Sequence, residues 1–301
     1  MKPPTIVASH PPMDIVDSHC HLFLEEFQDP PEERGARQER LAQEQLAKEP
    51  LKPKAGQNVL EGVLERARAQ GVSAIVNVAL DVDTTWTVLE AHKKRPHLHP
   101  TAGWHPSNVN KLKQEDLEKL LALALKPEVV AFGEIGLDYF RNPKGADIQK
   151  KVFESLLEAA ASSKKPVIIH CRDAFDDLMK ILAPARSRLA GVVLHCFSGN
   201  EEQAARALDL GCHLSFAGPI TFPKADSLRA VLKMAPKEAV MIETDAPYLA
   251  PAPFRGKRNE PAYLVHHLDM VAKVLEMEPR EAASLTANNA RRFFNLPAAS
   301  A

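Results

Sequence analysis

Along this chain short apolar, β-branched runs alternate with longer stretches in which apolar residues recur every three or four positions. The runs predict strands at 15–21, 73–79, 98–102, 129–134, 166–170, 191–195, 213–217 and 239–243. Between them helical periodicity covers 59–70, 84–94, 114–125, 147–162, 176–182, 201–210 and 226–234, with Gly71 at the position of a helix C-cap and Leu117, Leu120, Leu121 and Leu125 near one face. Continuous apolar runs bounded by turn residues are how parallel strands covered on both faces read. Eight such strands, each followed by helix, predict an α/β fold of the (β/α)8 TIM-barrel type, with its site at the C-terminal ends of the strands. An open doubly wound sheet is the rival architecture, and it has difficulty bringing the first, fourth, fifth, sixth and eighth strands to one centre. A tail helix over 281–289, running on to Phe294, is expected outside the barrel.

Barrels of this kind run to about 250 residues as one unit, so the 301 residues are read as a single domain. One stretch, 25–56, breaks the rhythm with eight acidic and six basic residues and four prolines, and is read as a polar insertion after the first strand, above the catalytic face. With 38 basic against 39 acidic residues, no global positive field advertises a nucleic-acid partner, and any such binding must be local. No segment approaches the ~18 apolar residues of a membrane span and the first twelve residues carry no apolar leader core, so a soluble cytoplasmic protein is expected. Cys20, Cys171 and Cys196 each follow a histidine, and strand alternation should turn them away as small fillers; no disulfides are expected in a reducing compartment.

Candidate chemistry begins with His19 and His21, whose i, i+2 spacing on a strand puts both imidazoles on one face, a geometry suited to a metal ion. Four later runs end in Glu134, His170, His195 and Asp245, which makes six candidate ligands at strand ends. Histidine with carboxylate is a ligand set for Zn, Mn, Fe or similar divalent ions. His105, at the end of the third strand, is a candidate substrate contact; Trp104 is a candidate base-stacking group; Asp17 is a candidate to orient a histidine ligand, and Glu243 shares parity with Asp245 one layer deeper. His92, His97, His99, His266 and His267 are read as structural or exposed.

The chain resembles the TatD family of metal-dependent hydrolases, relatives of the amidohydrolase superfamily. The resemblance rests on Asp17-Ser18-His19-Cys20-His21-Leu22, Gly103-Trp104-His105-Pro106, Gly133-Glu134-Ile135-Gly136-Leu137-Asp138-Tyr139, His170-Cys171-Arg172, His195-Cys196-Phe197-Ser198-Gly199, Phe216-Ala217-Gly218-Pro219-Ile220, Glu243-Thr244-Asp245-Ala246-Pro247 and Pro253-Phe254-Arg255-Gly256-Lys257-Arg258. It implies a barrel, a divalent metal centre and cleavage of phosphodiester bonds in DNA, often from the 3′ end. On that reading His19, His21 and Asp245 hold one ion, His170 and His195 a second, and Glu134 bridges the two, the ions being Mg, Mn or Zn. Asp245 and Glu134 are then the catalytic pair, Asp245 taking the proton of a metal-activated water. Arg172, Arg255, Lys257 and Arg258 are candidate phosphate contacts, with no obligate protein partner expected. Two other functions share these residues: a metal-dependent ester or amide hydrolase, such as one acting on aminoacyl esters of transfer RNA, and a non-enzymatic scaffold with a vestigial site, against which the intact ligand positions argue.

Overall fold

The computed structural model describes residues 13–23, 27 and 59–298; the insertion expected at 25–56 lies outside them apart from Phe27. Eight parallel strands run in sequence order: β1 (Ile15–Cys20), β2 (Val72–Asn77), β3 (Leu98–Ala102), β4 (Ala131–Asp138), β5 (Val167–Arg172), β6 (Val192–Leu194), β7 (His213–Phe216) and β8 (Val240–Ile242). Helices alternate with them: α1 (Val59–Ala69), α2 (Val82–Lys94), α3 (Gln114–Ala124), α4 (Ala146–Ser163), α5 (Phe175–Ala185), α6 (Glu201–Asp209) and α7 (Asp226–Met234), with α8 (Leu264–Val274) and α9 (Pro279–Phe294) after the last strand. This is a (β/α)8 TIM barrel, nearly closed. Its seam lies just beyond β8, where Asp245 N donates to His19 O (2.9 Å) and His21 N to Ala246 O (2.9 Å).

Local chemistry sets where the elements begin. The Asp81 carboxylate accepts from Thr84 N and the Thr84 hydroxyl accepts from Asp81 N, both at 2.9 Å, so α2 starts at Val82, two residues before its apolar pattern does. Gly71 has φ +87°, and a Cβ there would meet Met13 O at 2.6 Å, so the turn from α1 into β2 needs glycine. β4 and β5 run on past Glu134 and His170, which the sequence pattern puts at strand ends; the ladder continues through Gly136↔His170 to Asp138↔Arg172. Gly136 permits this approach, because a Cβ there would lie 2.0 Å from His170 O.

Two cores result. The larger lies between strands and surrounding helices; the smaller fills the barrel interior with Val16, Val76, Ala131, Ile168, Val193 and Met241. Ala287, Ala290, Phe294 and Leu296 belong to that interior core, so α9 plugs the N-terminal mouth of the barrel instead of packing on its outer wall. Asn289 Nδ2 donates to Lys237 O (2.7 Å) and Val240 O (2.8 Å), and Arg291 pairs with Asp14 (2.7 Å), pinning the helix to the lower ends of β8 and β1. The apolar spacing of the helix marks the buried face, but not which surface covers it.

His267 on α8 is fully buried, its ring Nδ1 2.7 Å from Glu243 O, and burial pushes its pKa down to about 4. Between pH 6.5 and 4 the unfolded chain binds a proton there that the folded chain refuses, so this contribution to stability is complete above 6.5 and fades as pH falls towards 4. The slope is about 1.4 kcal/mol per pH unit for each such site. We expect the melting temperature of chelated protein to drop across this window, and His267→Gln to remove one proton from the slope; an unchanged slope would assign the acid sensitivity to other groups, such as His99, also pushed down to about 4.

Candidate metal centre

The six expected ligands converge at the C-terminal mouth of the barrel. The β1–β2 pairing is irregular between Asp17 and Cys20, a bulge that resets alternation so that Val16 faces the interior core while His19 and His21 face the mouth. Glu134 comes from the middle of β4, His170 from β5, and His195 from the residue after β6. Asp245 sits three residues beyond β8 in the left-handed region (φ +55°), carried there by the seam bonds to β1. Glu134 is 2 % exposed, which leaves its charge to be met by neighbouring side chains.

Those neighbours form two donor sets, one around each Glu134 oxygen. His19 Nε2 and His21 Nε2 are 3.1 Å apart, and Glu134 Oε2 lies 3.4 and 3.6 Å from them. Asp245 Oδ1 closes the first set at 3.8 and 3.5 Å from the same nitrogens. A tetrahedral ion with ligands at roughly 2.0–2.2 Å spaces its donors about 3.3–3.6 Å apart, so four such atoms fit a single cation. In the second set Glu134 Oε1 lies 2.8 Å from both His170 Nδ1 and His195 Nε2, which are 3.2 Å from one another. His105 Nε2 is also near, 3.5 Å from Glu134 Oε1. Its Nδ1 accepts from Ser107 N (3.1 Å), which leaves the proton on Nε2 and makes His105 a donor towards the centre instead of a ligand.

The electrostatics suit cations. Burial alone would raise the carboxyl of Glu134, but the surrounding imidazoles, His195 and His105 foremost, hold it well below its ordinary value. Asp245 is likewise lowered, against burial, by its hydrogen bond with His21 and by the neighbouring histidines. His21, His170 and His195 are raised despite burial, His195 most strongly, by the carboxylates they touch. The anionic charge that raises these imidazoles would equally attract a divalent cation, and binding one would compete with their protonation. His105 is pushed down by burial to about 3 and is neutral.

Three ligand rings are held from behind. His21 Nδ1 is 2.8 Å from Val78 O, His170 Nε2 is 3.1 Å from Asp138 Oδ2, and His195 Nδ1 is 3.1 Å from Glu243 Oε1. In the neutral ring each contact would hold the proton on the outer nitrogen and leave the inner lone pair facing Glu134 for an ion. Glu243 therefore stands one layer deeper, as its parity predicts. Asp138 was missing from the candidate set; its signal was present, since Glu134, Gly136 and Asp138 alternate along one strand. Asp17 does not orient a histidine ring: it accepts from Thr244 N (2.9 Å) and Thr244 Oγ1 (2.6 Å), tying β1 to the segment after β8, and burial raises its pKa to about 7. His19 Nδ1 is buried without a partner among the described residues.

The outer candidates separate. Arg172 ends β5 with its guanidinium 3.8 Å from the ring centre of Phe140, an exposed aromatic on the loop after β4. Arg255 lies over Phe222 at 4.5 Å; Lys257 is 5.8 Å from Phe254. Arg258 stacks on Phe27 at 5.3 Å and lies 3.9 Å from buried Glu260, so part of its charge is met within the chain. Trp104, a candidate for base stacking, is only 6 % exposed and belongs to the core. Cys20 is a buried filler as expected, whereas Cys171 lines a cavity beside the centre, and Cys196 has φ +44°, where strand alternation no longer applies.

Comparison with known proteins finds relatives along most of the chain. A family model described as TatD related DNase matches residues 16–295. An uncharacterized metal-dependent hydrolase of Bacillus subtilis, YabD, is 40% identical over 237 residues, covering 79% of this chain and 93% of that protein. The 3′-5′ ssDNA/RNA exonuclease TatD of Salmonella typhimurium is 35% identical over 241 residues, 78% of this chain and 93% of its own. Among solved structures, YjjV, a TatD homologue from Escherichia coli K12, superimposes with a TM-score of 0.78 at 29% identity, over 94% of this chain and 98% of that one.

Proposed function

The chain belongs to the TatD-related DNase family of metal-dependent hydrolases acting on ester bonds, and from that premise we propose that it cleaves phosphodiester bonds in DNA, working from the 3′ end with two divalent ions. The observation that carries the reading is Glu134, one buried carboxylate with a separate set of donors at each oxygen. One carboxylate can span two cations at the ~3.5–4 Å separation of two-metal hydrolytic sites. The relative from Salmonella, named for 3′-5′ exonuclease activity, supports the choice of bond and polarity.

Bound divalent ions would supply a nucleophilic water near neutral pH and counter the negative charge that grows at phosphorus. The chain's own groups do the rest. Asp245, held ionised by its hydrogen bond with His21 and by the neighbouring histidines, takes the proton of the attacking water on Oδ2, the oxygen that is left when Oδ1 faces His19 and His21. His105, neutral and with its proton fixed on Nε2, donates a hydrogen bond to a phosphate oxygen or the leaving oxygen without adding charge. Arg172 offers a guanidinium fork at the rim. Arg255 and Lys257 stand further out as phosphate contacts, and Arg258, paired with Glu260, anchors their loop.

A single-stranded DNA labelled at its 5′ end, incubated with protein loaded with Mg, Mn or Zn, should shorten one nucleotide at a time, and a blocked 3′ end should stop it. Internal fragments of random length would refute the polarity. Turnover of aminoacyl esters with no cleavage of DNA would replace the phosphodiester reading altogether.

A further inference from the structure

A cavity of about 400 Å³ opens beside the centre, at the C-terminal ends of β5 and β6, and His195 stands in its wall. Its apolar wall is half-buried Tyr139, backed by Phe175 and Phe197, which belong to the core at under 10 % exposure, with the Arg206 guanidinium 5.1 Å over the Phe175 ring. Its volume is near the lower end of small-molecule sites, roughly 300–1,000 Å³, which is room for one nucleoside. Tyr139 is the most exposed ring of the three, the kind of surface on which an unstacked base packs.

Its polar groups choose between the parts of a nucleotide. Three carboxylates line it, those of Asp173, Asp176 and Asp177. Asp176 is paired with Arg206 at 2.7 Å, and Asp177 accepts from the Tyr139 hydroxyl at 3.0 Å. Asp173 makes no hydrogen bond or ion pair with any described residue, and follows Arg172 directly in sequence. A phosphate is repelled from such a surface and is directed to Arg172 and the ligand cluster. A neutral group carrying N–H donors is accepted.

We propose that this cavity receives the base of the terminal nucleoside, and that the Asp173 carboxylate selects bases with an exocyclic amino group over thymine, whose carbonyls flank its single N–H. The inference rests on the DNA reading above and adds to it the recognition of an unpaired end and a preference among ends. A base held here would place its own 5′ phosphate on the side of His195 that faces Glu134.

The test compares kcat/KM for single strands identical except for the last base. With metal-loaded wild-type protein, an end in dC should be hydrolysed about tenfold faster than one in dT, the value of a hydrogen bond to a charged acceptor. A strand ending in an abasic sugar should lose that advantage. Asp173→Asn should bring the dC to dT ratio close to one. Asparagine tolerates the left-handed backbone of this position (φ +55°), so the substitution preserves the turn. Equal rates for all four ends, or a variant that slows every end by one common factor, would overturn the proposal. Failure to hydrolyse any DNA end, by protein that still turns over bis(4-nitrophenyl) phosphate, would remove the DNA reading and the base site with it.

Discussion

Replacing Glu134 with alanine is expected to reduce the divalent metal retained by the protein to a small fraction and to lower kcat/KM by at least about 10³-fold. Glu134 offers one oxygen to each donor set: Oε2 faces His19 and His21, and Oε1 faces His170, His195 and His105, while His19 and His195 meet between the sets only as stacked rings 3.9 Å apart. His19→Ala removes a donor from one set, whereas Glu134→Ala removes a donor from each and the anion that holds the imidazoles together. The surrounding fold should survive, because Glu134 N still donates to Ala79 O (3.2 Å) and the strand remains seated between β3 and β5. Three measurements separate the possibilities: metal content, circular dichroism, and the rise in melting temperature on adding metal, which wild type should show and the variant should lack. Glu134→Gln keeps the volume and one acceptor oxygen but not the charge, and should lie between the two. A Glu134→Ala protein that keeps its metal and its turnover would show that the donor sets are served by other groups.

Much of this centre was legible because barrel chemistry is written at predictable places. Apolar runs ending in histidine or carboxylate point to the strand and to a residue near its mouth, and the six candidate ligands follow from that rule, although β4 and β5 continue past Glu134 and His170. What escaped depended on contacts between strands. Asp138 lies beyond the strand expected at 129–134, whose apolar pattern breaks at Gly133 and Gly136; only the close approach of the β5 backbone shows that those glycines sustain the strand. Asp17 shares its parity with His19 and His21 in sequence, but the bulge in β1 voids that parity and hands its carboxylate to Thr244. The tail helix displayed an apolar face that sequence could not match to a partner, since either the outer wall or the barrel's lower mouth would bury it equally well. The arginines were legible only as charges: Phe140 and Glu260, which distinguish an open guanidinium from a committed one, lie far from them in the chain or gave no signal of their own.

The second large effect is expected at a residue that holds a ligand without being one. Glu243 Oε1 lies 3.1 Å from His195 Nδ1 and 2.7 Å from Cys196 N, so a single oxygen fixes the ring and the backbone of the turn that carries it. Its other oxygen is buried with no partner among the described residues, so its hydrogen bonds go to the His195 ring and the turn that carries it. Glu243→Gln retains an oxygen able to accept both bonds but buries an amide donor in place of the free oxygen and removes the anion. We expect metal affinity to fall 10–100-fold, the usual cost of losing the group behind a histidine ligand. The pH dependence tells this role apart from a loss of folding. Glu134 and Glu243 together raise the pKa of His195, so in wild type a cation must displace a proton from this ring, and affinity should climb as pH rises. Without the Glu243 charge that proton is held less tightly, and the climb should be shallower and finish at lower pH, with the melting temperature of chelated protein changing far less than the affinity. An affinity loss of the same size at every pH, accompanied by a matching drop in that melting temperature, would mean that Glu243 supports the turn and leaves the His195 proton untouched.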